Sequence, residues 1–415
     1  MPRWLILADD LTGAADCAIA FAGAGLSASV AWEAEAPDDV VLAFDANSRR
    51  LTPVAAAECH RALLEARHTA GTGLFKKVDS TLRGQPAAEL AETVRVLRGR
   101  GHRALAVVAP AFPATGRTTE GGCIRLHGQK LEETPLWARD HSYPSADLVA
   151  VLRASGLRVQ PVALDAVRAG PQALARLIGE MAREHGIDAV VCDAVTPGDL
   201  DTLAQATLPL AGQVFWTGSG GLALALARAL APPVPAAAPA ALTGGILFVV
   251  GSIAEASRAA SALLAVDGAV CRVAVGADTL RRGPEGPAWQ QAAHRIGETL
   301  DGGGDVLVEI AADAGADLAE GAALARHLAD LLRPVAPHVG ALFATGGETA
   351  LAVLAALGVH GIRMIEEIEP GVPLGITRGA LSVPVVTKAG AFGDAGTLTR
   401  CLSHLRRLRR TETPS

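Results

Sequence analysis

Short apolar runs, separated by helix-patterned stretches, recur along the whole chain and leave it few folds to adopt. Before residue 231 they are Leu5–Ala8, Val40–Phe44, Leu74–Val78, Ala104–Ala109, Leu157–Leu164, Ala189–Cys192 and Val214–Trp216. After residue 243 they are Ile246–Val250, Val270–Val275, Val306–Ile310, Ala341–Phe343 and Val383–Thr387. A run without polar alternation is the pattern of a strand buried on both faces. Helical patterns such as Pro86–Leu97 and Pro171–Glu184 lie between the runs. Strand–helix alternation implies parallel βαβ units with right-handed crossovers. The expected fold class is therefore α/β.

The length, 415 residues, suits two domains rather than one. Residues 231–241, APPVPAAAPAA, carry four prolines and no charge, as an extended connector would. The reading is two α/β domains with mostly parallel sheets: an N-terminal domain over 1–230, a linker over 231–243 and a C-terminal domain over 244–405, with a ligand site in the cleft between them. Residues 406–415 form a basic tail. Its Arg406, Arg407, Arg409 and Arg410 read as the solvated end of the last helix. Ile362–Ile376, with Pro370 and Pro373, is expected to be irregular or antiparallel.

Half the residues are hydrophobic but only 3% are aromatic, so the core is built mainly of Ala, Val and Leu. The net charge of −6 is spread among residues of both signs and suggests neither nucleic acid nor membrane as a partner. Six cysteines lie far apart, with no CxxC pair and no zinc-ligand spacing, as expected of reduced thiols in a cytoplasmic protein. The apolar run at the start is too short for a signal peptide and ends on two aspartates. A homo-oligomer is compatible with these features, but none of them specifies an oligomeric state.

Open α/β sheets place ligands at the carboxyl ends of their strands. There the chain concentrates its polar residues. Asp9 and Asp10 follow the first run and precede a helix, where a carboxylate can cap or catalyse. The stretch 75–84, FKKVDSTLRG, delivers Lys77, Asp79, Ser80, Thr81, Leu82 and Arg83. Cations, hydroxyls and a carboxylate together suit a substrate carrying a carboxylate and hydroxyl groups, arginine being its natural two-pronged partner. Alternatively, Ser80 or Thr81 caps the helix beginning near Pro86. A stiff loop, 109–119, presents Arg117, and the second strand ends near Arg49 and Arg50.

In the second half, Gly251-Ser252 ends a strand. Gly346-Gly347-Glu348-Thr349 frees successive amides at a helix start, where the helix dipole favours an anion. Lys388, Gly390, Gly393 and Asp394 repeat that design. Neither GxxxxGK[ST] nor, after the first strand, GxGxxG occurs. Gly302-Gly303-Gly304 reads as a surface loop.

At these residues the chain resembles the four-carbon acid sugar kinase family. The matching motifs are ADDLTGAAD (8–16), KKVDSTLRG (76–84), APAFPATGR (109–117), GSGGLA (218–223), VGS (250–252), TGGETA (345–350) and KAGAFGD (388–394), in family order and spanning nearly the whole chain. The resemblance implies an N-terminal substrate domain and a C-terminal nucleotide domain. It implies phosphorylation by ATP of the terminal hydroxyl of threonate, erythronate or a 2- or 3-oxo-tetronate. Asp9, Arg49 and the Asp79–Arg83 run would contact the sugar acid. Ser252, the Gly346–Thr349 turn and Gly390 would contact ATP. The KxDSTLRG form is more similar to D-threonate and D-erythronate kinases than to 3-oxo-tetronate kinases. Ala391 departs from the glycine that many relatives carry.

The mechanism expected of such a site gives the substrate carboxylate to Arg83, Lys77 and Arg49, and hydroxyl orientation to Asp79 and Ser80. Asp9 or Asp10 accepts the hydroxyl proton, with Asp394 as a rival. Mg²⁺ bridges the phosphates, held largely by phosphate oxygens and water rather than by a protein metal site. Two other classes compete: a sugar-acid and nucleotide-binding protein without turnover, and a dinucleotide-dependent oxidoreductase.

Overall fold

Each apolar run before residue 231 becomes a strand of one parallel sheet. In the computed structural model the described residues are 4–33, 39–102, 105–137, 143–184, 186–231, 244–251, 255–266, 268, 270–311, 320–388 and 393–410. The strands, numbered along the chain, begin with β1 (Trp4–Ala8), β2 (Ala28–Ala31), β3 (Val41–Asp45), β4 (Gly73–Lys77) and β5 (Leu105–Ala109). Next come β6 (Arg117–Glu120), β7 (Cys123–Leu126), β8 (Gln129–Lys130), β9 (Val159–Val162), β10 (Ala189–Cys192) and β11 (Val214–Gly218). The order β3-β1-β4-β11-β5-β10-β9 is parallel throughout. All five residues of β1 are buried, which is why its sequence shows no polar alternation.

Along the chain β1, β3 and β4 are followed in turn by the helices α1 (Leu11–Gly23), α2 (Pro53–Arg67) and α3 (Pro86–Gly99). Asp10 caps α1 by accepting from the Gly13 amide at 2.9 Å. Thr52 caps α2, and proline occupies its first turn, where a missing N–H costs nothing. Gln85 precedes α3 without a side-chain cap, so neither Ser80 nor Thr81 serves that helix. Trp4 packs on Phe21 of α1 and on Trp216 of β11, with ring centroids 5.3 and 5.0 Å apart. The sequence reading misses β6, β7 and β8, which form a separate antiparallel sheet. RTTE and QK are short and polar and carry no strand pattern.

The chain clusters into two units. Residues 29–37 belong with 236–415, and the remainder of the first 235 residues form the other unit. The linear division read from the sequence does not anticipate this exchange. The second unit contains β12 (Gly245–Val250), β13 (Cys271–Val275), β14 (Val306–Ile310), β15 (Val339–Thr345), β16 (Val359–Glu369), β17 (Val372–Gly379) and β18 (Pro384–Lys388). The run β13-β14-β12-β15-β18 is parallel, and β17 and β16 follow as antiparallel strands. β2 adds to β16 through the pairs Gly361↔Ala31, Ile362↔Val30 and Arg363↔Ser29. The antiparallel expectation for 362–376 thus holds, with pairing extending beyond it at both ends. Phe248 and Phe343 stack at 5.2 Å in a core of aliphatic side chains.

The last helix runs Thr397–Arg410, so the basic run is the end of that helix, as expected, and no tail begins at residue 406. Nor is it simply solvated. Arg406 Nε and Arg409 Nη2 donate to opposite oxygens of buried Asp305, at 2.8 and 2.7 Å. The expected linker lies outside the described residues except for Ala231. All six cysteines are free thiols. Among the described residues no helix is long and apolar enough to cross a membrane.

Candidate active site

Register lines up the ends of the strands in the first unit. Ala8 of β1 pairs with Asp45 of β3, and Leu7 with Lys76 of β4. Lys77 of β4 pairs with Gly218 of β11, which pairs with Ala109 of β5. Five polar or glycine-bearing loops therefore leave one carboxyl edge side by side, as open α/β sheets require of a ligand site.

Asp9 and Asp10 lie past the end of β1, where the chain has turned, and both carboxylates reach one guanidinium. Arg49 Nε and Nη2 donate to Asp9 Oδ2 and Oδ1 at 2.7 and 3.0 Å. Arg49 Nη1 donates to Asp10 Oδ2 at 2.7 Å. Asp10 Oδ2 also accepts from the Thr12 hydroxyl at 2.7 Å. Burial would raise the Asp10 carboxyl, but Arg49, Lys77 and the Thr12 bond outweigh it and hold it below the ordinary range. Burial likewise opposes the Arg49 charge, and Asp10, Asp9 and Asp79 overcome it.

The KKVDSTLRG stretch supplies the facing wall. Lys77 Nζ stands 2.7 Å from where a Cβ on Gly13 would be. Burial disfavours its ammonium, yet Cys17, Asp9, Asp10 and Asp79 hold its pKa above that of an ordinary lysine. Asp79 accepts from Arg83 Nε and, at 3.0 Å, from the Thr81 hydroxyl. Burial would raise Asp79 too, but Arg83, Arg49 and Lys77 hold it well below the carboxylate range. Leu82 has φ +59 and its amide bonds the Asp79 carbonyl at 3.0 Å. A buried branched residue in that region is strained by about 1–3 kcal/mol, a cost that clusters at functional sites. Gly84 then turns at φ +82, and any Cβ there would sit 2.9 Å from Asp9 Oδ2. Only glycine lets this loop close onto Asp9.

Ser80 is buried in the same loop. Arg117 opens β6 and is buried as well. Burial pulls its pKa down, against the nearby carboxylates of Asp79 and Asp16. Of the expected substrate-binding residues, Asp9, Arg49, Lys77, Asp79, Thr81, Arg83 and Arg117 form one electrostatically linked cluster. The GSGGLA motif interlocks with its neighbours. A Cβ on Gly220 would overlap Asp16, and one on Gly221 would lie 2.5 Å from the Ala111 carbonyl.

Nothing in the sequence alone assigns a role to Asp45 or to the residues behind the cluster. Asp45 accepts from the Asn47 amide at 2.7 Å, and burial pushes its carboxyl up to about 8. Lys76, adjacent to Lys77, points to the opposite face and pairs with Glu89 of α3 at 2.6 Å. A charge deep behind a strand looks in sequence like any surface charge, so no pattern announced it.

In the second unit, Val250 of β12 pairs with Thr345 of β15, and Thr345 with Lys388 of β18. The three glycine-bearing turns expected to meet ATP therefore start from adjacent strand ends. Gly346 has φ +89 and precedes the helix Gly347–Ala356 with no side-chain cap, and its amide donates to the Lys388 carbonyl at 3.0 Å. A Cβ on Gly251 would overlap Thr349 in the first turn of that helix. Glu348 lies in that turn, partly exposed, and its charge works against an anion there. Lys388 is buried, with its pKa lowered by burial to about 8, partly offset by Cys401 and Glu369. With the Gly346 amide committed to the Lys388 carbonyl, the two glycines do not free successive amides as expected. The groups of a kind that suits a phosphate are the first-turn amides of the Gly347–Ala356 helix and the Lys388 side chain.

Gly393 and Asp394 sit at the start of the last helix. Asp394 Oδ1 accepts from the Gly396 amide and from Arg400 Nη2, each at 2.8 Å. The Arg400 bond, with that of Gly396, holds this exposed carboxylate below its usual range. It is arranged as a cap and ion-pair partner. Ser252 and Gly390 lie outside the described residues, as does Ala391. Among the described residues no three His, Cys, Asp or Glu side chains gather as metal ligands.

A parallel-sheet unit with a buried cluster of acidic and basic side chains, and a mixed-sheet unit with glycine turns at adjacent strand ends, make a two-domain α/β class of sugar- and nucleotide-binding proteins, as two family models identify it. Residues 4–226 match the family model for a sugar-binding N-terminal domain, and 247–398 that for a nucleotide-binding C-terminal domain. The chain belongs to the four-carbon acid sugar kinase family. It is 45% identical to a D-threonate kinase of Cupriavidus necator, over 95% of this chain and 96% of that one. It is 37% identical to a D-threonate kinase of Bordetella bronchiseptica, over 98% of each. A solved Salmonella typhimurium structure, described as a putative tRNA synthase, shares the fold with a TM-score of 0.82 at 20% identity, over 97% of this chain and 100% of that one.

Proposed function

We propose that this chain is an ATP-dependent kinase that phosphorylates the C4 hydroxyl of a four-carbon sugar acid, D-threonate before D-erythronate. The observation that carries the reading is the 45% identity, end to end, with a D-threonate kinase. The chemistry of the first unit's cluster agrees with it. A guanidinium has five N–H donors, so Arg83 can hold Asp79 through Nε and a substrate carboxylate through its Nη groups. Lys77 adds charge to that grip. Ser80, Thr81 and Asp79 orient hydroxyls, and Arg117 flanks them.

Asp9 is the better proton acceptor of the acidic pair. Both oxygens of Asp10 are engaged by the α1 amide, Thr12 and Arg49, whereas each Asp9 oxygen takes one bond from Arg49. Arg49 orients both carboxylates and adds to the positive field. In the second unit the Gly346–Thr349 turn and Lys388, with Ser252, Gly390 and Gly393, would receive the nucleotide. ATP supplies the phosphoryl group, and Mg²⁺, held mainly by phosphate oxygens and water, would offset the charge on it. Catalysis is then mostly positioning and charge neutralisation.

A coupled ADP-release assay across D-threonate, D-erythronate and the oxo-tetronates tests this directly. The expected result is the highest kcat/KM with D-threonate and phosphate on C4 by ³¹P NMR. No release with any of these acids, or phosphate on another hydroxyl, would refute the proposal.

A further inference from the structure

Behind the sugar-acid cluster lies a second polar group that bonds none of the side chains proposed as ligand contacts. Glu89, on α3, is buried and receives three partners from three other segments. Lys76 Nζ pairs with Oε2 at 2.6 Å. The Ser48 hydroxyl donates to Oε1 at 2.7 Å. His60 Nε2, from α2, lies 3.4 Å from Oε1 and 3.0 Å from the Ser48 hydroxyl. With Ser48 donating to Glu89, a neutral His60 donates from Nε2 to Ser48. Burial and Lys76 lower the His60 pKa, which keeps it neutral. Lys76 Nζ also donates to the Lys77 carbonyl at 3.0 Å.

The partners are placed tellingly. Ser48 precedes Arg49, and the amides of both donate to the Asp9 carbonyl, at 3.0 and 3.2 Å. The Lys77 carbonyl is where β4 releases the loop that carries Asp79 and Arg83. One carboxylate therefore holds the roots of two loops that approach the substrate from different strands.

We propose that Glu89 is a positioning residue for sugar-acid phosphorylation: through Ser48 and Lys76 it fixes the Arg49 turn and the Lys77–Arg83 loop in one mutual geometry. This role presupposes the sugar-acid kinase function. A purely structural alternative exists, since an ion pair of this depth could serve only to balance its own charges. The two accounts part when both charges are removed together.

The test is the double variant Lys76→Met/Glu89→Gln, which leaves no unpaired buried charge, compared with wild type. The expected result is a folded protein whose KM for D-threonate rises about tenfold or more while KM for ATP stays within twofold. Amide hydrogen exchange should also quicken in 46–50 and 78–84 together. Wild-type KM for the sugar acid, or faster exchange in only one of the two segments, would overturn the proposal. Should the double variant fail to fold, Ser48→Ala removes a single hydroxyl. It is expected to raise KM for D-threonate several-fold with KM for ATP unmoved, and an unchanged KM would be equally fatal. A wild-type chain that phosphorylates no four-carbon acid overturns the proposed function and with it the catalytic purpose of Glu89, while the exchange measurement separately decides whether Glu89 couples the two loops.

Discussion

Arg83 shows how one side chain can serve two masters. Its Nε is committed to Asp79, yet about a third of the side chain remains exposed. Removing a charge-assisted bond to a carboxylate typically costs about 1.5–3 kcal/mol, so Arg83→Gln should raise KM for the sugar acid roughly 10- to 100-fold by that measure. KM for ATP should hardly move, and equal rises in both would remove Arg83 from the substrate carboxylate. Lys388 gives the nucleotide side a pH signature. Its pKa of about 8 lies below the lysine norm because burial disfavours the ammonium. A bound phosphate would favour that ammonium, so ATP should bind with proton uptake. Affinity should fall as pH rises through 8, by up to about tenfold per unit. Lys388→Met should flatten this dependence in calorimetry from pH 7 to 9; an equal slope in the variant would place Lys388 away from the nucleotide. The identities of these residues were legible in the sequence, because chemistry concentrates at strand ends. Their partners were not. Nothing in the order of residues says that Arg49 reaches back across 39 and 40 positions to Asp10 and Asp9.

At the scale of elements, the strand–helix turn is the repeated device, and how tightly it closes decides what it can hold. Gly251 lets the end of β12 lie against the first turn of Gly347–Ala356. Gly251→Ala should push these apart and weaken ATP at least tenfold in calorimetry, leaving D-threonate binding as in wild type. Full ATP affinity in that variant would show that the turn does not shape the nucleotide site. The same elements explain what could be read beforehand. Strands buried on both faces, such as β1 and β12, are continuous apolar words. β2 is a four-residue ASVA whose partner β16 is distant in sequence, while β6 and β8 are polar strands that pair locally with β7, so no apolar pattern marks any of the three.

At the scale of the molecule, the sequence supports two domains because a proline-rich stretch divides two strand-bearing halves. The exchange at β2 escapes that reading, since it depends on which sheet a short segment joins. It leads to a simple expectation for dissection. A fragment beginning at residue 244 retains β16 but lacks the Ser29–Ala31 segment that pairs with it. An unpartnered strand edge invites association with other chains. The fragment should run as aggregates in size-exclusion chromatography and become more monodisperse when a peptide spanning 27–33 is supplied; a well-behaved monomer without it would contradict this. Anyone recombining halves of related kinases therefore faces a hidden splice. The nucleotide half has a small piece of itself encoded about 200 residues upstream, and a crossover drawn at the proline stretch alone would pair its β16 with a foreign strand.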